Sequence, residues 1–355
     1  MDQTNISVGS FPFTGEGQSD GDATQDVSDG FSKFILALYS LICVVGITGN
    51  LLVAIVLLRV PSLRSNTSDF LVHLAIVDFM ICVLVIPYYL APKPIPSTNT
   101  GFFCVVWCRV YTSELLFWFF TMTSILGLTV VNLERYVAIV HPHKYKTLFT
   151  KRNKYIMIAG CWIFAAISRS YFIFTHEEDE VVGCHFKGWS NRGAQAAFGL
   201  YSFTFNFFVP FIVMFFAQLK VISSLNRQVK MLTTRTASLG VDPSDQREMW
   251  QLRASQTLVK TLLACVITFG VCWIPNQVWF LLFNFGVPMA PGGPFHLLTV
   301  ILAVGNSCVN PVIYTMTNKP FRKGIRELFC KQRGSNQVAD GVATGTVSET
   351  ISTAQ

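Results

Sequence analysis

Residues 33–59 read KFILALYSLICVVGITGNLLVAIVLLR, an apolar run with a base at each end and no charge between them. A helix needs about 20 apolar residues to cross the hydrocarbon of a bilayer. Inside lipid the backbone must satisfy itself, which leaves helices and closed barrels. Barrel strands alternate apolar and polar residues in short segments, and this run does not alternate. Six further runs of the same kind follow, over 68–91, 107–140, 155–175, 198–225, 254–284 and 295–317. The third and sixth exceed the bilayer thickness and should protrude or tilt. The sequence therefore predicts an all-α membrane protein with a seven-transmembrane helix bundle over 33–318.

Composition agrees. The 355-residue chain is 51% hydrophobic and only 13% charged, about half the charge of a soluble domain. Its net charge of +7 does not mark a nucleic-acid partner, because the bases are sorted by membrane side. Basic residues concentrate on the cytosolic side of membrane proteins. With the N-terminus outside, only Lys33, Lys93, Arg109, Arg169, Lys187 and Arg192 of the 27 Lys and Arg residues lie on the outer side. The C-terminus is then cytosolic. Residues 1–32 carry acids and no base, and read as a disordered outer tail. Asn5-Ile6-Ser7 is a glycosylation sequon on the correct side for use.

The polar loop at about 228–250 reads as mobile. Past Tyr314, residues 319–330 read KPFRKGIRELFC, a short amphipathic eighth helix for the inner lipid surface. Cys330 at its end is a palmitoylation candidate. Residues 331–355 form a Ser/Thr-rich cytosolic tail, whose phosphates would suit an arrestin.

Polar groups at membrane depth mark function by default. Asp78 is the one acid near the centre of a span. Asn50, Ser124, Asn306, Ser307 and Asn310 are its natural partners from other helices, and such an oxygen set suits a small hard cation. A hydrogen-bonded packing node without an ion is the other reading. Pro210, Pro275 and Pro311 interrupt the fifth, sixth and seventh spans and would kink them. Glu134-Arg135-Tyr136 closes the third span.

Taken together, Gly49-Asn50, Asp78 in LAIVD, the ERY triplet at 134–136, Trp162, Pro210, Cys272-Trp273-Ile274-Pro275 and Asn310-Pro311-Val312-Ile313-Tyr314 occur in order, one set per helix. This pattern resembles the rhodopsin-like (class A) G-protein-coupled receptors, over about residues 33–330. The resemblance implies a receptor that binds an extracellular ligand and activates heterotrimeric G proteins, and not an enzyme. It implies an allosteric Na⁺ at Asp78, Ser124, Asn306, Ser307 and Asn310, with no other cofactor. Glu134, Arg135 and Tyr136 would be the switch facing the G protein, and Trp273 the toggle beneath the ligand. Ile125, Pro210 and Phe269 would connect the two, Pro275 and Pro311 would serve as hinges, Tyr314 would swing inward on activation, and Phe321 would anchor the eighth helix.

The resemblance also implies a disulfide from Cys184 to the top of the third helix, through Cys108 or Cys104. Cys108 lies 27 residues before Arg135 (135 − 108), about two more than the pattern, so a bulge or extra half-turn is expected. Ser255 stands where the family often places an acid that locks Arg135, and Gln218 replaces a common tyrosine. Both changes favour raised basal activity.

Ligand class is narrowed by what is missing. No lysine lies in 295–317, which excludes a retinal Schiff base. Phe117 occupies the position of the acid that amine receptors carry. Residues 181–189 alternate as a strand or hairpin over the pocket, just after the acidic run 177–180, which resembles the peptide-binding branch. The ligand cavity is expected to draw on Tyr88, Glu114, Phe117, Trp118, Thr121, Trp273, Asn276, Gln277, Phe280 and His296. Glu114 would pair with a basic or amidated neuropeptide, or with Arg109 nearby. Two other readings stay open: an orphan or constitutively active receptor for a non-peptide small molecule, and a seven-helix transporter or channel. The latter would need a file of ionisable residues across the bilayer.

Overall fold

A computed structural model describes residues 22–91, 101–179, 183–239, 242–290 and 292–340, and side chains over 30–91, 101–177, 184–238, 242–290 and 292–329. Asn5, the tail beyond 340 and the side chain of Cys330 lie outside these sets. Seven helical segments are long and apolar enough to cross a membrane, at Gly30–Arg59, Asn66–Leu90, Phe102–Val140, Lys151–Thr175, Arg192–Ser238, Pro243–Asn284 and Pro294–Thr317.

The first span belongs to α1 (Asp22–Arg59), which starts inside the stretch expected to be a disordered tail. A 3₁₀ turn, Pro61–Leu63, leads to α2 (Asn66–Val85), whose start is fixed by reciprocal bonds between Ser65 and Ser68. A π-helical turn, Ile86–Leu90, completes the second span. The third is built from α3 (Phe102–Val106), a π-helical turn at Trp107–Thr112 and α4 (Leu115–Val140). Glu114, at the junction, has φ 57°, the only described non-glycine residue in the left-handed region. The extra residues counted between Cys108 and Arg135 are taken up here.

α5 (Pro142–Leu148) crosses the Arg135 end to α6 (Lys151–Arg169). α7 (Phe172–Thr175) then enters an antiparallel hairpin of β1 (His176–Asp179) and β2 (Gly183–Phe186), with His176 opposite Phe186. Glu177, Glu178 and Asp179 of the acidic run, expected to precede the strands, thus lie in the first of them. The fifth span joins α8 (Arg192–Phe203), a π-helical turn at Thr204–Phe208 and α9 (Val209–Leu239). α10 (Pro243–Asn284) and α11 (Pro294–Thr317) supply the sixth and seventh. The described residues of 228–250, a stretch expected to be a mobile loop, are helical apart from Asp242, and Arg235 on α9 reaches Asp245 on α10 at 3.7 Å. α12 (Lys319–Asp340) runs past Cys330, with no proline after Pro320 to stop it.

α4 runs through the middle, packed on α2, α6 and α9, while α11 closes the ring against α1 and α10. α10 shows how the sequence sorts its faces. Ile267, Val271, Ile274, Val278 and Leu282 form an exposed stripe at helical spacing, while Val266, Phe269, Trp273 and Gln277 are buried. An exposed apolar stripe this continuous is a lipid-facing surface.

Close helix approach depends on glycine in α1. A Cβ on Gly46 would lie 2.2 Å from the Cys82 sulfur, and one on Gly49 2.8 Å from Pro311 Cβ. Gly46→Val is therefore expected to force α1 off α2, at about 1–3 kcal/mol for overpacking. Thermal unfolding of the purified protein reads this as a clear fall in midpoint. An unchanged midpoint would mean α1 does not pack on α2 at Gly46.

Candidate functional site

Two polar sites occupy the bundle, one beneath the hairpin and one at the Arg135 end, with Asp78 between them. The hairpin is tied to the third span by a Cys108–Cys184 disulfide, Cα atoms 5.4 Å apart. Beneath it lies a cavity of about 460 Å³. Seven of the expected ligand residues line it: Glu114, Trp118, Trp273, Asn276, Gln277, Phe280 and His296. Tyr88, Phe117 and Thr121 do not; they are buried behind the wall.

The reason is helical phase. Glu114 and Trp118 are one turn apart on the cavity face, whereas Phe117 and Thr121 share the neighbouring face toward α2. There the Phe117 ring meets Tyr88 at 6.2 Å and Tyr89 at 5.6 Å. The Ile86–Leu90 turn carries one residue more than an α turn, and Tyr89 rather than Tyr88 reaches the cavity. Tyr89 stacks on Tyr39 at 4.7 Å and donates to Glu114 Oε2 at 3.0 Å.

Sequence reasoning missed several lining residues: Tyr39, Tyr89, Arg169, Tyr171, His176, Phe186, Trp189, Phe198 and Asn284. Arg169 had been read as an outer-face charge, and it is buried. His176 roofs the cavity; burial first, and then the neighbouring His185, pull its pKa down to about 4, so it is neutral near pH 7. Four buried polar atoms of the lining have no hydrogen-bond partner: Arg169 Nε, Trp273 Nε1, Gln277 Oε1 and Asn284 Oδ1. Each such group costs about 1–3 kcal/mol when left unsatisfied.

Below Trp273 an aromatic column leads inward. The Phe269 ring lies 6.1 Å from Trp273 and 5.8 Å from Phe207, and Ile125 is buried in the same cluster. Pro210, also buried, is the second residue past the Thr204–Phe208 turn. Asp78 is fully buried: Oδ1 accepts from Ser124 at 2.6 Å, Oδ2 from Asn310 at 2.9 Å, and Ser307 donates as well. Asn50 donates to the Ser307 carbonyl at 2.9 Å. Asn306 is buried beside Ser307 without a hydrogen bond to Asp78 among the described residues. A carboxylate with two converging hydroxyls is a donor set that fits Na⁺.

At the far end Glu134 holds Arg135. Arg135 donates from Nε to Oε2 at 2.6 Å and from Nη2 to Oε1 at 2.5 Å. The buried carboxylate also accepts from Thr67 at 3.0 Å and Tyr145 at 2.7 Å. Burial, and then the bond to Glu134, push the Tyr145 hydroxyl up to about 12, so it stays a donor. Tyr136 turns instead to His141, 3.2 Å away. Gln218 is fully buried and donates to Asn132 on α4 at 2.5 Å. Tyr314 packs on Phe321, which anchors α12. Lys154 is buried in an ion pair with Asp69. Arg322 is likewise spent at the end of α11, donating to the Met316 carbonyl at 2.6 Å.

The family model of the 7 transmembrane receptor (rhodopsin family) matches residues 49–314. The chain is similar to galanin receptor type 1 of Rattus norvegicus, 28% identical over 326 residues that cover 88% of this chain and 87% of that one. It is also similar to octopamine receptor beta-2R of Chilo suppressalis, 26% identical, covering 89% and 86%. Squid rhodopsin shares the fold, with a TM-score of 0.69 and 22% identity over 92% of this chain and 91% of that one. With seven spans, a hairpin-roofed cavity and the Arg135–Glu134 ion pair at the opposite end, this chain belongs to the rhodopsin family of seven-transmembrane receptors, and is a receptor and not an enzyme.

Proposed function

We propose that the chain is a plasma-membrane receptor for an extracellular peptide, with its N-terminus outside, and that it activates heterotrimeric G proteins from the Arg135 end. The observation that carries the peptide reading is the set of unpartnered donors and acceptors in the cavity wall. A peptide backbone supplies both C=O and N–H groups to meet them. The similarity to a galanin receptor supports the same reading. An amine is disfavoured, because Phe117 stands at the acid position and is packed behind the wall.

Ligand contact with Trp273 would bias the Pro275 kink and draw the sixth span outward, which favours the active packing by differential affinity. Arg135 would then leave Glu134 for the G protein. Lys144, Lys146, Lys151 and Arg152 are exposed beside it for an acidic partner surface. Na⁺, held by Asp78, Ser124 and Ser307, would neutralise the carboxylate in the resting state. Asn5 glycosylation, Cys330 palmitoylation, lipid contact by α12 and arrestin binding to the phosphorylated tail complete the proposal.

The test is G-protein activation in cells given pooled synthetic peptides, with Arg135→Ala alongside. A peptide-dependent signal lost in the variant is expected; silence at confirmed surface expression removes the peptide reading. Glu114→Gln should weaken basic peptides about tenfold through loss of a charged contact, read from dose–response curves. Unchanged potency would take Glu114 out of ionic recognition.

A further inference from the structure

The cavity holds a cation that the sequence pattern did not place there. Arg169 is the last residue of α6, 5% exposed, and lines the cavity. Among the described residues it makes no ion pair. Its Nη2 points at the Met122 sulfur, 3.7 Å away and a weak acceptor, its guanidinium bonds the Tyr171 hydroxyl, and its Nε has no partner. Arg is almost never fully buried without a paired acid. The negative end of α6 offsets part of the charge, but supplies no fork-shaped acceptor. Glu114, the carboxylate of the same lining, accepts from the Tyr89 hydroxyl and makes no ion pair with Arg169 among the described residues, and His176 is neutral.

We propose that Arg169 is the anchor for a ligand carboxylate, and that this contact sets which peptides the receptor accepts. The assignment deepens the peptide reading and rests on it for the identity of the ligand. A guanidinium presents parallel N–H donors that match the two oxygens of a carboxylate. An amidated C-terminus cannot make that contact, so an amidated agonist would have to bring an Asp or Glu side chain.

The experiment uses the purified full-length chain in nanodiscs, without G protein. N-acetyl-phenylalanine and its amide are titrated at matched ionic strength, and the unfolding temperature is read. The acid should raise it saturably and the amide should not. Arg169→Gln should start from a higher unfolding temperature, because an unpaired buried cation has been removed, and should lose the response to the acid. Arg169→Lys, which keeps the charge but not the fork, should retain part of it. Equal effects of acid and amide, no effect of either, or a full response in Arg169→Gln would overturn the assignment.

In cells, the pooled peptides are compared as C-terminal acids, as amides and with acidic side chains neutralised. One of the last two changes should cost about a hundredfold in potency and so identify the source of the carboxylate. Equal potency of all forms would overturn the proposal. A saturable acid shift with no active peptide would remove the peptide reading and leave the carboxylate site standing. Active peptides with no acid shift would do the reverse.

Discussion

Glu134→Gln is expected to raise signalling without agonist about tenfold. Two charge-assisted bonds hold Arg135 to this carboxylate, and Thr67 and Tyr145 hold the carboxylate in place. Hydrogen bonds to charged groups contribute about 1.5–3 kcal/mol each. Active and inactive packings differ by only a few kcal/mol. Loss of roughly 1.4 kcal/mol from the resting state alone shifts the population tenfold. The position of Ser255, in place of an acid, makes the effect larger than in receptors with a second restraint across helices. Among the described residues Glu134 is the only ion-pair partner of Arg135. Nucleotide exchange in membranes, at equal receptor density, measures it. Tyr145→Phe removes one bond to the Glu134 carboxylate, with the bond that Tyr145 accepts from Asn66, and should raise the basal rate only a few-fold. Basal exchange unchanged in Glu134→Gln would mean that Arg135 is held by something other than this carboxylate.

The second large effect is expected from Cys184→Ser. Cys108 and Cys184 lie 76 residues apart in sequence, and losing a native disulfide commonly costs about 2–5 kcal/mol. Here the loss also unfastens the cavity roof, because β2 is the strand that carries Cys184. Surface expression, unfolding temperature and response to active peptide should all fall. Cys104→Ser should leave the disulfide and the response intact. If Cys104→Ser has the larger effect, the covalent pairing is with Cys104.

The spans were legible because apolar length and backbone satisfaction leave little choice in lipid. So was the Glu134–Arg135–Tyr136 segment, as a position if not as a set of contacts. The longer reach of α9 and α10 was not legible, since 228–250 is polar and helical there without an apolar stripe. Lys154 and Arg169 show a deeper limit. A long cationic side chain near a span end can snorkel to water or turn inward, and its neighbours in sequence do not say which. Lys154 turns to Asp69, from another helix; Arg169 turns to a cavity. Tyr88 was misplaced because the Ile86–Leu90 turn carries an extra residue, whereas Phe117 and Thr121 lie in regular α4, off the face that Trp118 presents to the cavity. The count from Cys108 to Arg135 carried the warning, but it gave the number of extra residues and not the direction in which they turn the chain.

The wide turns have a consequence for descent. Those described lie at Ile86–Leu90, Trp107–Thr112 and Thr204–Phe208, and α2, α4 and α9 run on from them as regular helix toward Arg135. A π turn is one added residue absorbed within a helix, and it rotates the side chains beyond it by about 100°. A lineage could therefore gain or lose single codons in the ligand half and exchange which residues face the cavity. The signalling half would keep its register throughout. Chemical novelty at one end and inherited machinery at the other can then evolve at different rates within a single gene.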